Sequence, residues 1–308
     1  MNVLVTGSSG FLGGNVSDLF MSKGHTVYGI SRGPNIKNFQ QYSLDINNFE
    51  EVSKLMSEKD IELVMHIAGK PIVSDCEKNP YDAYKVNGLG TASILEACRQ
   101  NNVKKVITVE TDKVYGYQEV VPTDETQIPN PKSPYEFSKF LAASISQFYR
   151  SFYHMNVVSV RPANIYGIGD KSTSRLIPKA LENLKQGKGI RLYDTALKMK
   201  RDFIYVEDVA EALYLLATND CKSSIYNISA NDSYTILELC DKILKALDLN
   251  IYHDIVKKSN NFKEIPLQEI DGSLFRNEFN YEFTSFEEGI QKTWRLMNEE
   301  YNSTTLDG

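Results

Sequence analysis

A glycine-rich segment near the start of the chain limits the fold more than any other feature. Gly7-Ser8-Ser9-Gly10-Phe11-Leu12-Gly13 follows an apolar run, Val3 to Val5, and precedes an amphipathic stretch that extends through Phe20. Glycines at this spacing allow a tight turn, close approach of the backbone to a pyrophosphate, and close packing of helix on strand. The segment predicts a dinucleotide-binding βαβ unit rather than a plain glycine-rich loop. Its predicted cofactor contacts are Gly7, Ser9, Gly10, Phe11, Leu12 and Gly13.

The rest of the first half alternates short β-branched runs with amphipathic stretches. Strands are predicted at Thr26–Ile30, Leu63–His66, Lys105–Val109 and Val157–Val160, and helices at about 81–101 and 134–153. Strands that alternate with helices in this way are typical of a parallel sheet covered on both faces. The predicted fold class is therefore α/β, a Rossmann doubly wound parallel sheet with a smaller C-terminal part.

The composition and hydrophobic pattern of the sequence change after Arg161-Pro162. Loops rich in Gly, Asp, Lys and Ser surround one amphipathic stretch at about 176–186, and strand-like patterns return at 203–206 and 225–228. We expect a cofactor-binding domain at 1–165 and a mainly substrate-binding part at 166–308. Because the strand patterns return, we expect the sheet to be completed by about 203–230 and the boundary to be discontinuous.

Charge and composition exclude several functions. The 34 basic and 40 acidic residues give a net charge of −6, which disfavours binding to nucleic acid. The start has no basic and apolar leader, and no run approaches the roughly 20 apolar residues of a membrane span, so we expect a cytoplasmic protein. The cysteines are scattered without metal-site or disulfide spacing, which predicts core thiols and no metal: Cys76, Cys98, Cys221 and Cys240.

The end of the second strand bears on the choice of cofactor. An enzyme that uses NAD commonly places a carboxylate there for the adenosine ribose, but this chain reads Tyr28-Gly29-Ile30-Ser31-Arg32. The guanidinium of Arg32 has the geometry to pair with a 2′-phosphate, so NADP is predicted, with NAD as the second choice. The alternative is that Arg32 is a solvated surface residue.

Ser133-Pro134-Tyr135-Glu136 marks the start of a helix that carries chemistry. Ser133 and Glu136 form a capping-box pattern, and proline is favoured at the first helical position. Tyr135 and Lys139 are four residues apart and share a face. We expect the ammonium of Lys139 to lower the pKa of the Tyr135 phenol.

These motifs together resemble the extended short-chain dehydrogenases, specifically the NAD(P)-dependent nucleotide-sugar epimerase/dehydratase family. The resemblance covers nearly the whole chain. It rests on the segment Thr6 to Gly13 and on Tyr135-Glu136-Phe137-Ser138-Lys139. Further similar stretches are His66 to Gly69, Asn87 to Thr91, Arg161 to Gly167, Arg201 to Val206 and Thr284 to Ile290.

The resemblance implies roles for individual residues. Tyr135 would be the general base for a sugar hydroxyl, Lys139 would bind the nicotinamide ribose, and Thr111 would hydrogen-bond the same hydroxyl. Other implied cofactor contacts are Ser31, Asp45, Ile46, Ile67, Ala68, Gly69, Asn87 and Pro162. The implied contacts to a nucleotide-diphosphate sugar are Asn164, Arg175, Leu176 and Arg201. Helices at about 81–101 and 134–153 build the dimer of many relatives, so a homodimer is expected.

One loop departs from the family pattern. Members usually carry Gly-Asp-Gly before the arginine that corresponds to Arg201, whereas this chain reads Asp194-Thr195-Ala196-Leu197 with one more residue before Arg201. The departure indicates a reshaped nucleotide-binding loop, and the base of the nucleotide stays open.

The residues after the fourth predicted strand bear on the reaction. Family epimerases commonly have small residues after the catalytic Ser or Thr, whereas Asp112 and Lys113 follow Thr111 here. In the 4,6-dehydratases of the family the equivalent pair protonates the departing C6 hydroxyl and removes the C5 proton. We therefore expect a 4,6-dehydratase with Asp112 as acid and Lys113 as base. The alternatives are a structural or exposed Asp112–Lys113 ion pair in a 4-epimerase, an NADPH-dependent 4-keto-sugar reductase, and a catalytically silent sensor.

Overall fold

The computed structural model describes residues 1–33, 39–251, 253–257 and 265–306, with 300–306 described by backbone alone. The strands of this part are β1 (Asn2–Thr6), β2 (Thr26–Ser31), β3 (Gln40–Ser43), β4 (Leu63–His66), β5 (Lys105–Val109), β6 (Val157–Pro162), β7 (Asn164–Tyr166), β8 (Ile190–Tyr193), β9 (Lys200–Tyr205), β10 (Ile225–Ile228), β11 (Ser233–Thr235), β12 (His253–Val256) and β13 (Leu267–Gln268).

Helices alternate with the strands through most of the chain. They are α1 (Phe11–Ser22), α2 (Phe49–Glu58), α3 (Val73–Lys78), α4 (Pro80–Ala83), α5 (Gly90–Gln100), α6 (Pro134–Tyr153), α7 (Leu176–Lys185), α8 (Val206–Thr218), α9 (Ile236–Ala246), α10 (Ser273–Phe279) and α11 (Phe286–Leu306).

Seven strands form one parallel sheet in the order β10-β6-β5-β4-β1-β2-β3. The strand order reverses on the two sides of β1, which is the arrangement of a doubly wound sheet. Successive side chains of a strand point to opposite faces, so Val3 and Val5 enter one apolar core and Leu4 enters the other. The predicted Rossmann sheet is confirmed.

The helix predicted at about 81–101 is interrupted. The chain forms α4, then a π-helical turn at Tyr84–Leu89, and only then α5. π turns inside helices are uncommon and frequently occur at functional sites. This one contains the buried side chain of Asn87. Its origin is tertiary, because the local sequence has the apolar spacing of an ordinary helix.

Helix α6 has the predicted bounds, Pro134–Tyr153. The capping box is present in both directions: the backbone N–H of Glu136 donates to Ser133 Oγ at 3.3 Å, and the N–H of Ser133 donates to Glu136 Oε2 at 3.2 Å. A cap of this kind typically contributes about 1 kcal/mol to helix stability. It fixes where the helix begins, and thus where Tyr135 lies.

The second half of the chain builds smaller sheets and also returns to the large one. Strand β9 pairs with β7, β11 and β13, and β8 pairs with β12. Strand β10 pairs with β6 and lies at the edge of the seven-stranded sheet. The expected return therefore occurs at β10, whereas 203–205 lies in the smaller sheet. The division at 165/166 stays a prediction.

Candidate active site

One cavity of about 910 Å³ opens at the carboxyl ends of the central strands. All the predicted site residues except Asn87 line it, from Gly7 on the first turn to Arg201 on β9. Parallel strands bring their carboxyl ends to one edge, where ligands of doubly wound sheets bind. The structure thus brings together residues that lie far apart in the sequence, and their individual roles stay predictions.

The glycine turn fits a pyrophosphate. Gly7 has φ +73°, and a Cβ built on Gly13 would lie 2.2 Å from the Gly7 carbonyl oxygen. Helix α1 therefore packs against the turn at a distance that only glycine allows. Its N-cap, Gly10, makes no side-chain cap, so the first N–H groups of the helix face the cavity without a capping side chain. These features match the anion site that a dinucleotide needs.

Tyr135 and Lys139 lie side by side on α6, and Tyr135 is buried while Lys139 is half-buried. Burial raises the pKa of Tyr135 to about 12, against which a hydrogen bond with Thr111 acts. Burial also lowers the pKa of Lys139 to about 8, although the negative charge of Glu110 opposes this shift. The Lys139 ammonium donates to the carbonyl of Val109 at 2.8 Å. The expected lowering of the Tyr135 pKa is not found, because the cost of burying a phenolate exceeds the stabilisation from nearby donors.

Thr111, Asp112 and Lys113 follow β5 on the adjacent wall of the cavity. The Thr111 hydroxyl donates to Asp112 Oδ1 at 3.1 Å. Lys113 Nζ donates to Asn164 Oδ1 at 2.9 Å, and it is 3.7 Å from Asp112 Oδ1. The Asp112 side chain is only 2% exposed. A solvent-exposed ion pair is therefore excluded, and the Lys113 ammonium contacts Asn164 more closely than it contacts Asp112.

Comparison with known proteins identifies the family. The model of the NAD dependent epimerase/dehydratase family matches residues 3–229. The chain belongs to this family. The resemblance read from the motifs is thereby confirmed, and this epimerase/dehydratase family uses a nicotinamide dinucleotide.

Three relatives illustrate the range of reactions among similar proteins. The UDP-glucose 4-epimerase of Thermotoga maritima, solved with UDP-glucose, superposes with a TM-score of 0.90 at 25% identity over 98% of this chain and 100% of that one. The dTDP-glucose 4,6-dehydratase of Bacillus anthracis, solved with NAD, has a TM-score of 0.85 at 26% identity over 98% of each chain. GDP-6-deoxy-D-talose 4-dehydrogenase of Aggregatibacter actinomycetemcomitans is 28% identical over 96% of this chain and 97% of its own.

In this family member, the end of the cavity next to β2 contains Arg32 and Asp45. Arg32 is exposed at the end of β2 and lines the cavity. Asp45 accepts hydrogen bonds from the backbone and side-chain N–H groups of Asn47, each at 2.9 Å. These bonds, together with the nearby charge of Arg32, lower the pKa of Asp45. A cation and a carboxylate thus both face the place expected for adenosine.

Asn87 does not line the cavity, but its side chain hydrogen-bonds to two segments that contribute to the lining. Its Nδ2 donates to Ser138 Oγ at 2.8 Å, and its Oδ1 accepts from the backbone N–H of Lys70 at 2.7 Å. The π-helical turn directs the side chain between these two partners. Asn87 therefore ties the start of α6 to the segment after β4, and its predicted direct contact with cofactor stays a prediction.

The predicted substrate-binding residues form a second wall. Arg175 pairs with Asp170 at 3.0 Å, while Asn164 connects Lys113 to the carbonyl of Asp202. The guanidinium of Arg201 donates to the carbonyls of Lys200 and Pro266 at 2.9 and 3.4 Å. The loop that departs from the family's Gly-Asp-Gly pattern forms a short 3₁₀ turn at Asp194–Ala196, and Ala196 lines the cavity.

Several cavity residues were not found by sequence reasoning. Lys179 lies one turn after Arg175 on α7, and this i, i+4 spacing was an available signal. Arg191, Glu110 and Gln268 line the cavity without a motif that marks them. Gln268 lies 156 residues from its partner Asp112, to which it donates at 2.7 Å. Separation of this kind leaves no local pattern to detect.

The described ranges contain neither a cluster of metal ligands nor a membrane-spanning helix. No group of three or more His, Cys, Asp or Glu side chains is placed there to hold a metal ion. Among the helices of those same ranges, none combines the length and apolar character needed to cross a membrane.

A hydrogen-bond chain fixes the turn that follows β4. Thr6 Oγ1 accepts from the N–H groups of Ile67 and Ala68, so its proton goes to His66 Nδ1 at 2.9 Å. Thr91 donates to the carbonyl of Asn87 at 2.6 Å, so it accepts from His66 Nε2 at 3.0 Å. His66 is thus neutral with its proton on Nε2. Burial lowers its pKa to about 3.

The buried neutral His66 predicts that stability falls with acid. The unfolded chain binds a proton near pH 6.5 and the folded chain only near pH 3, so stability is full above pH 6.5 and is lost as pH falls. The loss due to His66 should reach about 2 kcal/mol at pH 5. Urea unfolding of the wild type and of His66→Gln should therefore show a difference that shrinks by this amount between pH 8 and pH 5.

Thr108→Val provides the matched control for this prediction. Thr108 is buried on β5 and pairs in register with His66, but neither it nor its replacement takes up a proton. The difference in unfolding free energy between wild type and Thr108→Val should therefore be nearly constant over the same pH range. A constant difference for His66→Gln as well would show that His66 is not held neutral.

Proposed function

We propose that this family member is a nucleotide-sugar 4,6-dehydratase. The observation that carries the proposal is the position of Asp112: a buried carboxyl that lines the cavity and accepts a hydrogen bond from the Thr111 hydroxyl at 3.1 Å. If Thr111 and Tyr135 hold the C4 hydroxyl of a sugar, Asp112 is within reach of the neighbouring C6 hydroxyl. Loss of water across C5 and C6 needs an acid there, whereas C4 epimerisation does not.

The first half of the proposed reaction uses Tyr135, Thr111 and Lys139. A bound nicotinamide dinucleotide would supply the hydride acceptor for sugar C4 and, later, the hydride donor for C6. Tyr135 takes the proton of the C4 hydroxyl, and Thr111 orients that hydroxyl by a hydrogen bond. The cost of forming the phenolate is high, because burial raises the pKa of Tyr135 to about 12. The adjacent Lys139 ammonium favours the phenolate once its hydrogen bond to Val109 is exchanged for ligand contacts.

The second half uses Asp112 and Lys113. The C4 ketone acidifies the proton at C5, and Lys113, which acts in this step as the neutral amine, takes this proton as base. The electrons of the C5–H bond form the C5–C6 double bond. The C6–O bond breaks as Asp112 gives its proton to the departing oxygen, which leaves as water. With the hydride returned to C6, Lys113 gives its proton back to C5, so the C5–C6 double bond is consumed and the product is a 6-deoxy sugar with a ketone at C4.

The remaining cations of the cavity support a nucleotide diphosphate as the handle of the substrate. Arg175, Lys179, Arg191 and Arg201 all line the wall built by α7, β8 and β9. Arginine forks engage two phosphate oxygens at once. The solved 4-epimerase of Thermotoga maritima contains UDP-glucose, a ligand of this chemical class. We therefore infer a nucleotide-diphosphate sugar as substrate.

The main alternative is a nucleotide-sugar 4-epimerase, in which Asp112 and Lys113 are a structural pair. The 3.7 Å separation of Lys113 Nζ from Asp112 Oδ1 favours the dehydratase, since a structural pair gains most at hydrogen-bond distance. An NADPH-dependent 4-keto-sugar reductase is the other enzymatic alternative, and it is the only one of the three that consumes reduced cofactor.

We also propose that the protein forms a homodimer. The outer face of α6 exposes three aromatic side chains that pack on one another: Phe148, Phe152 and Tyr153. Apolar clusters of this kind mark interaction surfaces. We infer that a second copy of the chain covers this face through α5 and α6.

Asp112→Asn tests the reaction directly. The purified enzyme is incubated with NAD or NADP and a panel of UDP-glucose, UDP-N-acetylglucosamine, dTDP-glucose, CDP-glucose and GDP-mannose. The wild type should remove 18 mass units from one of them without net use of cofactor. Asp112→Asn should block water loss and leave C4 oxidation, so that reduced cofactor accumulates and absorbs at about 340 nm.

Asp202→Asn is the matched control. Asp202 is as buried as Asp112, but it lies outside the cavity lining, and burial raises the pKa of its carboxyl well above the usual range. Because burial favours the uncharged form of Asp202, its exchange for an amide should leave water loss close to that of the wild type. A wild-type product of unchanged mass, or full turnover by Asp112→Asn, would favour the epimerase.

Tyr135→Phe should lower turnover by about 10² to 10⁴, the usual contribution of a positioned general base. The fold should persist, because the phenol ring packs against Cys76 and Ala83 and only the hydroxyl is lost. Turnover is measured by mass spectrometry and cofactor binding by calorimetry. Near-normal turnover in this variant would remove Tyr135 from the mechanism.

We also propose that NADP is preferred over NAD, because Arg32 lies at the end of β2, where an NAD enzyme commonly has a carboxylate. Arg32→Ala should abolish the preference. The affinity for NADP should fall by about tenfold or more, as expected for a lost charge-assisted contact to phosphate. Calorimetry with both cofactors measures this. Lys78→Ala, which removes another surface cation away from the cavity lining, is the control. Equal affinities in the wild type would contradict the proposal.

A further inference from the structure

Gln268 forms a buried hydrogen bond with Asp112. Its Nε2 donates to Asp112 Oδ2 at 2.7 Å, while Thr111 donates to the other oxygen, Oδ1, at 3.1 Å. Gln268 is only 7% exposed, and both side chains line the cavity. Against the ionised carboxylate that the elimination leaves on Asp112, the reverse orientation of the amide would place oxygen against oxygen, so the donor faces Asp112. Each oxygen of Asp112 therefore has one donor.

The position of Gln268 is fixed by the second half of the chain. Gln268 ends β13 and pairs in register with Arg201 on β9. The carbonyl of the next residue, Glu269, accepts from the N–H of Thr123 at 2.9 Å. The Arg201 guanidinium also contacts the carbonyl of Pro266, two residues before Gln268. The backbone that carries Gln268 is thus held by β9 and by Thr123, whereas Asp112 follows β5 of the large sheet.

We propose that Gln268 is a positioning residue that directs the catalytic proton of Asp112 to Oδ1. This inference rests on the proposed dehydratase function. A proton on Oδ2 would point at the N–H of Gln268, whereas a proton on Oδ1 faces the Thr111 hydroxyl, which can reverse and accept it. Oδ1 is thus the oxygen that carries the proton, and it lies on the side of Thr111 and Lys113.

Gln268 also stabilises Asp112 after the proton has left. In the elimination the O–H bond at Oδ1 breaks, a new O–H bond forms on the C6 oxygen, and water departs. Asp112 is left as a buried carboxylate, and its charge is then stabilised by donors from Gln268 and Thr111. Hydrogen bonds to an ionised group are stronger than those to a neutral one, so Gln268 favours the transition state over the ground state.

Gln268→Met removes the donor and keeps the length of the side chain. Water loss from the accepted sugar of the panel should slow by about 10- to 100-fold, as expected for a lost hydrogen bond to a charged group. C4 oxidation, followed at about 340 nm in a single turnover, should be nearly unchanged, and so should KM. Gln147→Met, on α6 and away from the cavity lining, is the control and should resemble the wild type.

Gln268→Glu gives a readout that a purely structural role would not move. Protonated glutamic acid keeps a donor at the same place, whereas the carboxylate repels Asp112. Water loss by Gln268→Glu should therefore recover toward the wild-type rate as pH is lowered and fall steeply as it is raised. A wild-type pH profile in Gln268→Glu, or equal loss of C4 oxidation and water loss in Gln268→Met, would overturn the inference.

A double-mutant cycle separates this inference from the proposed function. In the Asp112→Asn background, where water loss is already blocked, Gln268→Met should leave the accumulation of reduced cofactor at about 340 nm unchanged, because the carboxyl on which Gln268 acts is gone. If the wild type removes no water from any sugar of the panel, the dehydratase proposal fails, and with it the catalytic role of Gln268. The contact itself is still tested by urea unfolding of the same four proteins. Non-additive free energies are expected, and additive ones would show that Gln268 and Asp112 do not interact.

Discussion

Parallel strand pairing is the constraint on which the whole site depends. Strands β1, β4, β5 and β6 run side by side in the same direction, so the residues that follow them meet at one edge of the sheet. The glycine turn follows β1, Ile67 to Gly69 follow β4, and Thr111 follows β5 closely. The pairing is stable because Val, Ile and Leu side chains cover both faces of the sheet, which is typical of buried parallel sheets.

The close approach of the turn to α1 completes this edge. The Gly13 position tolerates no side chain, since its Cβ would overlap the Gly7 carbonyl. The N-terminus of α1, which has no side-chain cap, presents its N–H groups to the cavity. The hydrogen-bond chain through His66 fixes the turn after β4, which lines the same cavity. Burial in this place has opposite effects on the two groups of α6: it raises the pKa of Tyr135 and lowers that of Lys139. Both shifts have the same cause, the loss of hydration by the charged form.

The family fold supports several reactions, so the side chains after β5 carry the argument about chemistry. Asp112 and Lys113 have different environments although they are adjacent. Asp112 is enclosed by donors from Thr111 and Gln268, whereas Lys113 reaches across to Asn164. The acid of the proposed elimination is therefore built from both halves of the chain, and its environment exists only when they are folded together.

The sequence by itself determined the sheet, the glycine turn, and α6 with its capping box, because these depend on local spacing of apolar residues, glycine geometry and neighbouring polar side chains. It also determined the family, and nearly all the site residues that it predicts line the cavity. Only the tertiary structure decided the π-helical turn that directs Asn87, the placement of 203–205 in the smaller sheet, the high pKa of Tyr135, and the contact of Gln268 with Asp112. Each of these depends on burial or on residues far apart in the chain, and neither leaves a periodic signal in the sequence.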